Sequence, residues 1–179
     1  MSDSLITIVA IFLAVILMFI FPLMSIAERN DDIAELTVQT AVNDFVNTAK
    51  VTGKITISEY NKMVSKIEST GNTYDIELEV KILDDNVGKK SAWTNGTVIG
   101  ENIYYSIYTS QIMGYMASMT EEGDGVYTMK EGDIISVSAK NNNQTLSQTI
   151  RSVFYSISGK GTYQIAAQAS GLVSATGTN

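Results

Sequence analysis

An uncharged apolar run near the N-terminus constrains this chain more than any other feature of its sequence. Residues 5–27, LITIVAIFLAVILMFIFPLMSIA, contain no charged side chain. As a helix, this run is longer than the roughly 30 Å hydrocarbon thickness of a bilayer. A signal peptide has a basic start and a small-residue cleavage site, whereas this chain begins MSDS and the run ends in SIAER. We therefore predict an uncleaved, single-pass membrane anchor.

The composition of the remaining chain favours one non-catalytic domain. About 150 residues are enough for one modest core and too few for two ordinary domains. The net charge of −7 argues against nucleic acid as a partner. The sequence has no cysteine and no histidine, which removes disulfides, thiol chemistry and the commonest general base. We expect no enzyme activity, no cofactor and no catalytic or metal site.

The charges beside the apolar run give a weak preference for orientation. Arg29 is the only basic residue close to either end of the run. The following domain is rich in Asn, Thr, Ser and Gly and lacks cysteine. We therefore expect the large domain to lie outside the cell.

The helical pattern continues past the membrane. No Gly or Pro occurs between Arg29 and Gly53. An apolar stripe recurs at three- and four-residue steps through Ala34, Val38, Ala41, Phe45 and Ala49. One helix is predicted from about residue 4 to about residue 51. Pro22 is expected to kink or locally unwind it, and Phe45 to dock the following domain onto it.

The rest of the chain alternates short helices and strands. A capping box at Thr56 and Glu59 opens a helix that ends at Gly71, and alternation predicts a strand over 74–82. The other predictions are an exposed insertion at 84–101, a strand and helix within 102–119, a hairpin of 126–129 with 134–140, an amphipathic helix in 143–157 and a strand over 163–173.

These elements predict an α+β fold. A long N-terminal helix, transmembrane and then amphipathic, would pack on a small antiparallel β-sheet head with short helices. The expected division is 1–53 for the membrane and stem helix and 54–179 for the extracellular head.

Several residues are candidates for binding or assembly. Tyr104, Tyr108 and Tyr115 are candidate surface contacts, because tyrosine combines rigid area with a polar tip. Asn95 and Asn143 begin glycosylation sequons. The acids at 84–86 and 121–124 lack the complete calcium-loop signature, so solvated turns are the better interpretation.

Asp3 is a further assembly candidate, together with Pro22 and Phe45. It precedes the apolar run by two positions, where a carboxylate needs a partner or the headgroup layer. A neighbouring subunit's N-terminal ammonium would be such a partner. An ordinary acid at headgroup level is the alternative.

Three segments carry a resemblance, together with the apolar helix and its continuation to Lys50. They are QTAVNDFVNTAKVTGKITISEY, STGNTYDIELEV and EGDIISVSAKNNNQTLSQTIRSVFYSI. The chain resembles the type IV pilin superfamily, and more closely the TadE-like and pilin-like proteins of Gram-positive, clostridial-type bacteria. It departs from prepilins in lacking a basic leader and a Glu early in the helix.

The resemblance implies a subunit that packs its N-terminal helix against copies of itself. The expected function is a structural subunit of an extracellular type IV pilus-like filament. Its partners would be itself, a pilus or secretion assembly machinery, and the membrane through residues 5–27 before assembly. The alternatives are a minor pseudopilin or TadE-like bitopic accessory protein of a secretion or conjugation machine, and a membrane-tethered binding head.

Overall fold

The computed structural model describes residues 2–84, 104–119, 125–155 and 164–178. The elements are α1 (Ser2–Thr52), β1 (Lys54–Thr56), α2 (Ile57–Glu68), β2 (Tyr74–Leu83), β3 (Tyr104–Tyr108), α3 (Thr109–Ser118), β4 (Val126–Thr128), β5 (Ile134–Asn141), α4 (Leu146–Tyr155) and β6 (Ala166–Leu172). A long apolar helix on a small antiparallel sheet with short helices confirms the predicted α+β fold. The predicted insertion lies outside the described residues except for Asp84.

Helix α1 is the longest element of the described structure, and the sheet packs against its second half. Its 51 residues extend about 75 Å at 1.5 Å per residue. Pro22 was predicted to kink or locally unwind the helix; the unwinding does not occur, because the helix continues on both sides of Pro22. Proline removes only its own hydrogen bond to the carbonyl one turn earlier, and the neighbouring turns keep theirs. We call the part of α1 beyond Ala27 the stem.

The main sheet has four antiparallel strands in the order β3-β2-β5-β6. Strand β2 confirms the predicted alternation: Leu78 and Val80 are buried, whereas Glu77 is exposed. Strands β3 and β6 form the two edges, and β6 lies against the stem.

Small side chains on β6 let the stem approach the sheet closely. Ala167 and Ala169 occupy the inner face of β6, paired with buried residues of β5. At Gly171, a Cβ atom would lie 3.0 Å from Cδ of Lys50 and 3.4 Å from Cγ1 of Val46. The core between stem and sheet therefore depends on small residues in β6 facing larger ones in α1.

The predicted hairpin of β4 with β5 is wrong. Strand β4 pairs with β1 in a separate two-stranded sheet, and β5 lies between β2 and β6. Both edges of β5 are occupied, by β2 and β6, and the Asp133 carboxylate accepts hydrogen bonds from the backbone N–H groups of Lys130 at 2.8 Å and Leu83 at 2.9 Å. These bonds tie the turn to the end of β2.

Helices α2 and α3 form where the sequence predicts short helices. Thr56 caps α2 as predicted, since its Oγ1 accepts a 3.1 Å hydrogen bond from the Glu59 N–H. Helix α3 buries Ile112 and Met116 and leaves Tyr115 exposed.

Candidate assembly and membrane surfaces

The first half of α1 is apolar, and no other part of the described chain packs against it. An 18-residue window has a mean hydropathy of 3.0, and none of it is buried within the described chain. This helix is long and apolar enough to span a membrane. Its large side chains are exposed around the whole circumference, among them Leu5, Ile8, Phe12, Leu13, Ile16, Phe19 and Leu23.

The stem has two different faces. The face toward the head buries the apolar stripe, including Val38, Val42 and Phe45. The opposite face leaves Ile33 and Leu36 exposed, Leu36 by 69%. We call this side, at Ile33 and Leu36, the outer stem face.

Phe45 lies inside the protomer. Its side chain is only 3% exposed, and its ring meets Tyr60 of α2 edge-on at a centroid distance of 6.4 Å. This position agrees with the predicted docking of the head onto the stem. The Phe45 side chain is therefore buried within the chain itself.

The three candidate tyrosines are exposed, on two different surfaces. Tyr104 and Tyr108 are the first and last residues of the edge strand β3 and share one face of it, and Tyr108 lies opposite Glu79 of β2. Tyr115 belongs to α3 and meets Tyr127 edge-on at 5.6 Å. Burial raises the pKa of Tyr127 to about 12, helped by the nearby Asp133 carboxylate and two tyrosine hydroxyls. Tyr127 therefore stays neutral and contributes packing rather than charge.

The remaining predicted sites have mixed outcomes. Asn143 is held by hydrogen bonds: its Oδ1 accepts from the Thr73 N–H at 2.8 Å, and its Nδ2 donates to Oδ1 of Asn72 at 3.3 Å. Nδ2 also donates to the carbonyl of Gln144 at 3.4 Å, and a glycan on Nδ2 would leave one N–H and so replace one of these two bonds. Asn95 and the Asp3 side chain lie outside the described residues. Among the residues that are described, no cluster of three or more acids could hold a metal ion.

A polar junction joins α4 to the stem where the apolar run ends. Oγ1 of Thr145 donates a 2.8 Å hydrogen bond to Oδ2 of Asp31, which is buried. The guanidinium of Arg151 contacts Oε1 of Glu28 at 2.6 Å. We call this group, with the buried Ser147, the junction.

Thr145 also begins α4. Its Oγ1 accepts from the Gln148 N–H at 3.2 Å, and the Gln148 side chain accepts from the Thr145 N–H at 3.1 Å. This reciprocal pair is a capping box. An open cavity of about 250 Å³ beside it is lined by Glu28, Asp31, Asp32, Ser147 and Arg151.

Sequence reasoning missed the junction, although a signal was present. Arg151 is the only basic residue in the predicted helix over 143–157, and Glu28, Asp31 and Asp32 are the acids nearest the C-terminal end of the apolar run. A lone arginine in one segment and an acidic group in another predict an ion pair when both are expected to pack together.

Comparisons with known proteins identified no relative. No family model, no curated protein and no solved structure gave a significant match to the chain. The long N-terminal apolar helix on a small antiparallel sheet is an architecture compatible with a pilin-like protein.

Proposed function

We propose that this protein is a structural subunit of an extracellular type IV pilus-like filament. Before assembly, residues 5–27 anchor it in the membrane as a single-pass protein with the head outside. In the filament, its N-terminal helix packs against the same helix in neighbouring copies. The observation that carries this proposal is the exposed outer stem face above the membrane.

The height of the outer stem face favours a protein partner over lipid. Ile33 and Leu36 lie about 9 and 14 Å along the helix axis from Ala27, at 1.5 Å per residue. The headgroup layer is only about 5–8 Å thick on each side of the hydrocarbon. Lipid around an upright helix does not reach them, and burying each side chain would contribute about 1.5–3 kcal/mol.

The apolar anchor is consistent with the same arrangement. A helix that is apolar all round requires either lipid or other helices on every side. Lipid satisfies this requirement in the monomer. Neighbouring helices would satisfy it in a filament core, where the outer stem face would continue the same contact above membrane level.

Leu36→Asp tests the proposal directly. The matched control is Asn47→Asp, which adds the same charge at an exposed position farther up the stem, beyond the apolar pair. Cells expressing each variant would be sheared, and the surface fraction examined by negative-stain microscopy. We expect filaments from the unmodified protein and from Asn47→Asp, and a loss of filaments with Leu36→Asp despite normal membrane insertion.

The control experiments also address the accessory-protein alternative. Normal filaments from Leu36→Asp would contradict the role given to the outer stem face. Cells that contain the protein abundantly but shed no filaments made of it would contradict the filament proposal. That result would favour a minor pseudopilin or accessory protein, which works in few copies.

A further inference from the structure

Helix α4 is packed with its polar side inward. Ser147 and Gln148 are buried, and Arg151 pairs with Glu28 of the stem. By contrast, Leu146 is 56% exposed. An amphipathic helix of a soluble domain normally turns its apolar side toward the core. Leu146 therefore faces away from the stem, on the side of α4 opposite the junction, and Ile150, one turn further along, is partly buried.

The junction fixes the height of α4 relative to the membrane. The uncharged run ends at Ala27, and Glu28, the next residue, pairs with Arg151. Ala27 is buried and Met24 is partly buried, so the protein covers the last turn of the apolar run on one side. Glu28 to Asp31 occupy only about 5 Å of helix axis, which fits within a headgroup layer about 5–8 Å thick.

We propose that α4 lies in the headgroup layer of the bilayer and that the side bearing Leu146 contacts lipid. This inference rests on the membrane placement in the proposed function. The contact is apolar, because the head is acidic and α4 has one basic residue that is already paired. A zwitterionic lipid surface is therefore the partner that fits.

A second leucine provides a matched control. Leu172, at the end of β6, is 59% exposed, nearly the same fraction as Leu146. It lies beside the part of the stem that contains Lys50, since Gly171 approaches that side chain. Lys50 is about 33 Å along the helix axis from Glu28. The two leucines thus differ mainly in their distance from the membrane.

Site-directed spin labelling can measure that difference. The chain has no cysteine, so an introduced cysteine is the only one that takes the label and no native cysteine has to be removed first. Phe12→Cys, Leu146→Cys and Leu172→Cys would each carry a nitroxide in the full chain reconstituted into phosphatidylcholine vesicles. Collision rates with oxygen, which concentrates in lipid, and with a water-soluble nickel chelate report depth. We expect the oxygen-to-nickel ratio at 146 to be several-fold above that at 172 and below that at 12.

The three positions separate the two proposals. A water-like ratio at 12 would overturn the membrane placement itself. A lipid-like ratio at 12 together with equal ratios at 146 and 172 would overturn the contact of α4 with lipid alone. If the ratio at 146 falls to the value at 172 when the protein is diluted in lipid, a second copy covers Leu146 and the inference is wrong. A ratio that stays high on dilution supports it.

Discussion

The upper and lower halves of the stem contact the head through different kinds of interaction. The upper half buries apolar side chains, among them Val38, Val42 and Phe45, where the stem packs against β6 and α2. The lower half, at the junction, uses a buried carboxylate, a hydroxyl and a partly exposed ion pair. Apolar burial does not depend on charge, whereas a partly exposed ion pair is weakened when salt screens it. The upper contact therefore depends on buried apolar area, and the junction on hydrogen bonds and charge.

The largest expected effect is in the upper half. Phe45→Ala removes a buried ring and its edge-on contact with Tyr60. We expect the free energy of unfolding to fall by about 3–5 kcal/mol. Chemical denaturation in detergent would measure it, and Asn47→Ala, one exposed position on the same helix, is the control. An unchanged midpoint for Phe45→Ala would show that the head does not depend on the upper stem.

An intermediate effect is expected at the junction. Thr145→Val keeps the shape of the side chain but removes the hydroxyl that donates to Asp31 and caps α4. The loss should be about 1–3 kcal/mol, because a buried acceptor loses its donor. Thr145→Ser retains the hydroxyl and should behave like the unmodified protein.

Hydrogen exchange would show where the Thr145→Val effect falls. We expect faster exchange in α4 and unchanged protection in β2 and β5. Equal acceleration in α4 and in the sheet would mean that the two halves of the interface open together. The comparison between them would then fail.

The smallest effect is expected from the ion pair. Arg151 and Glu28 have side chains about a third exposed, at 31% and 38%. Arg151→Gln should therefore cost only about 0–1 kcal/mol, and added salt should reduce the difference. Exchange in α4 at low and high salt measures this. Lys66→Gln, which breaks the more exposed pair with Asp44, is the control and should leave α4 unaffected.

The sequence predicts the parts of this fold that are periodic. Helix α1 and strand β2 follow from apolar spacing over many residues, and the strand–helix pair β3–α3 was also predicted correctly. The partner of β4 was not predictable, because both edges of β5 are occupied by strands distant in sequence, β2 and β6. The junction joins residues 123 positions apart, Glu28 and Arg151. Local patterns carry no information about such pairs until the fold is known.

The orientation of β6 has a mechanical consequence. Gln168 accepts a hydrogen bond from Gln39 near the start of the contact, and Ser174, just beyond β6, bonds to Lys50 near its end, so strand and stem run in the same direction. The hydrogen bonds between strands are perpendicular to that direction. Tension along the stem would load them in shear, all at once, whereas a sideways pull at β3 would unzip its bonds in turn. Single-molecule force spectroscopy with handles in the two geometries should find the higher rupture force along the stem, and equal forces would show that the head does not share axial load.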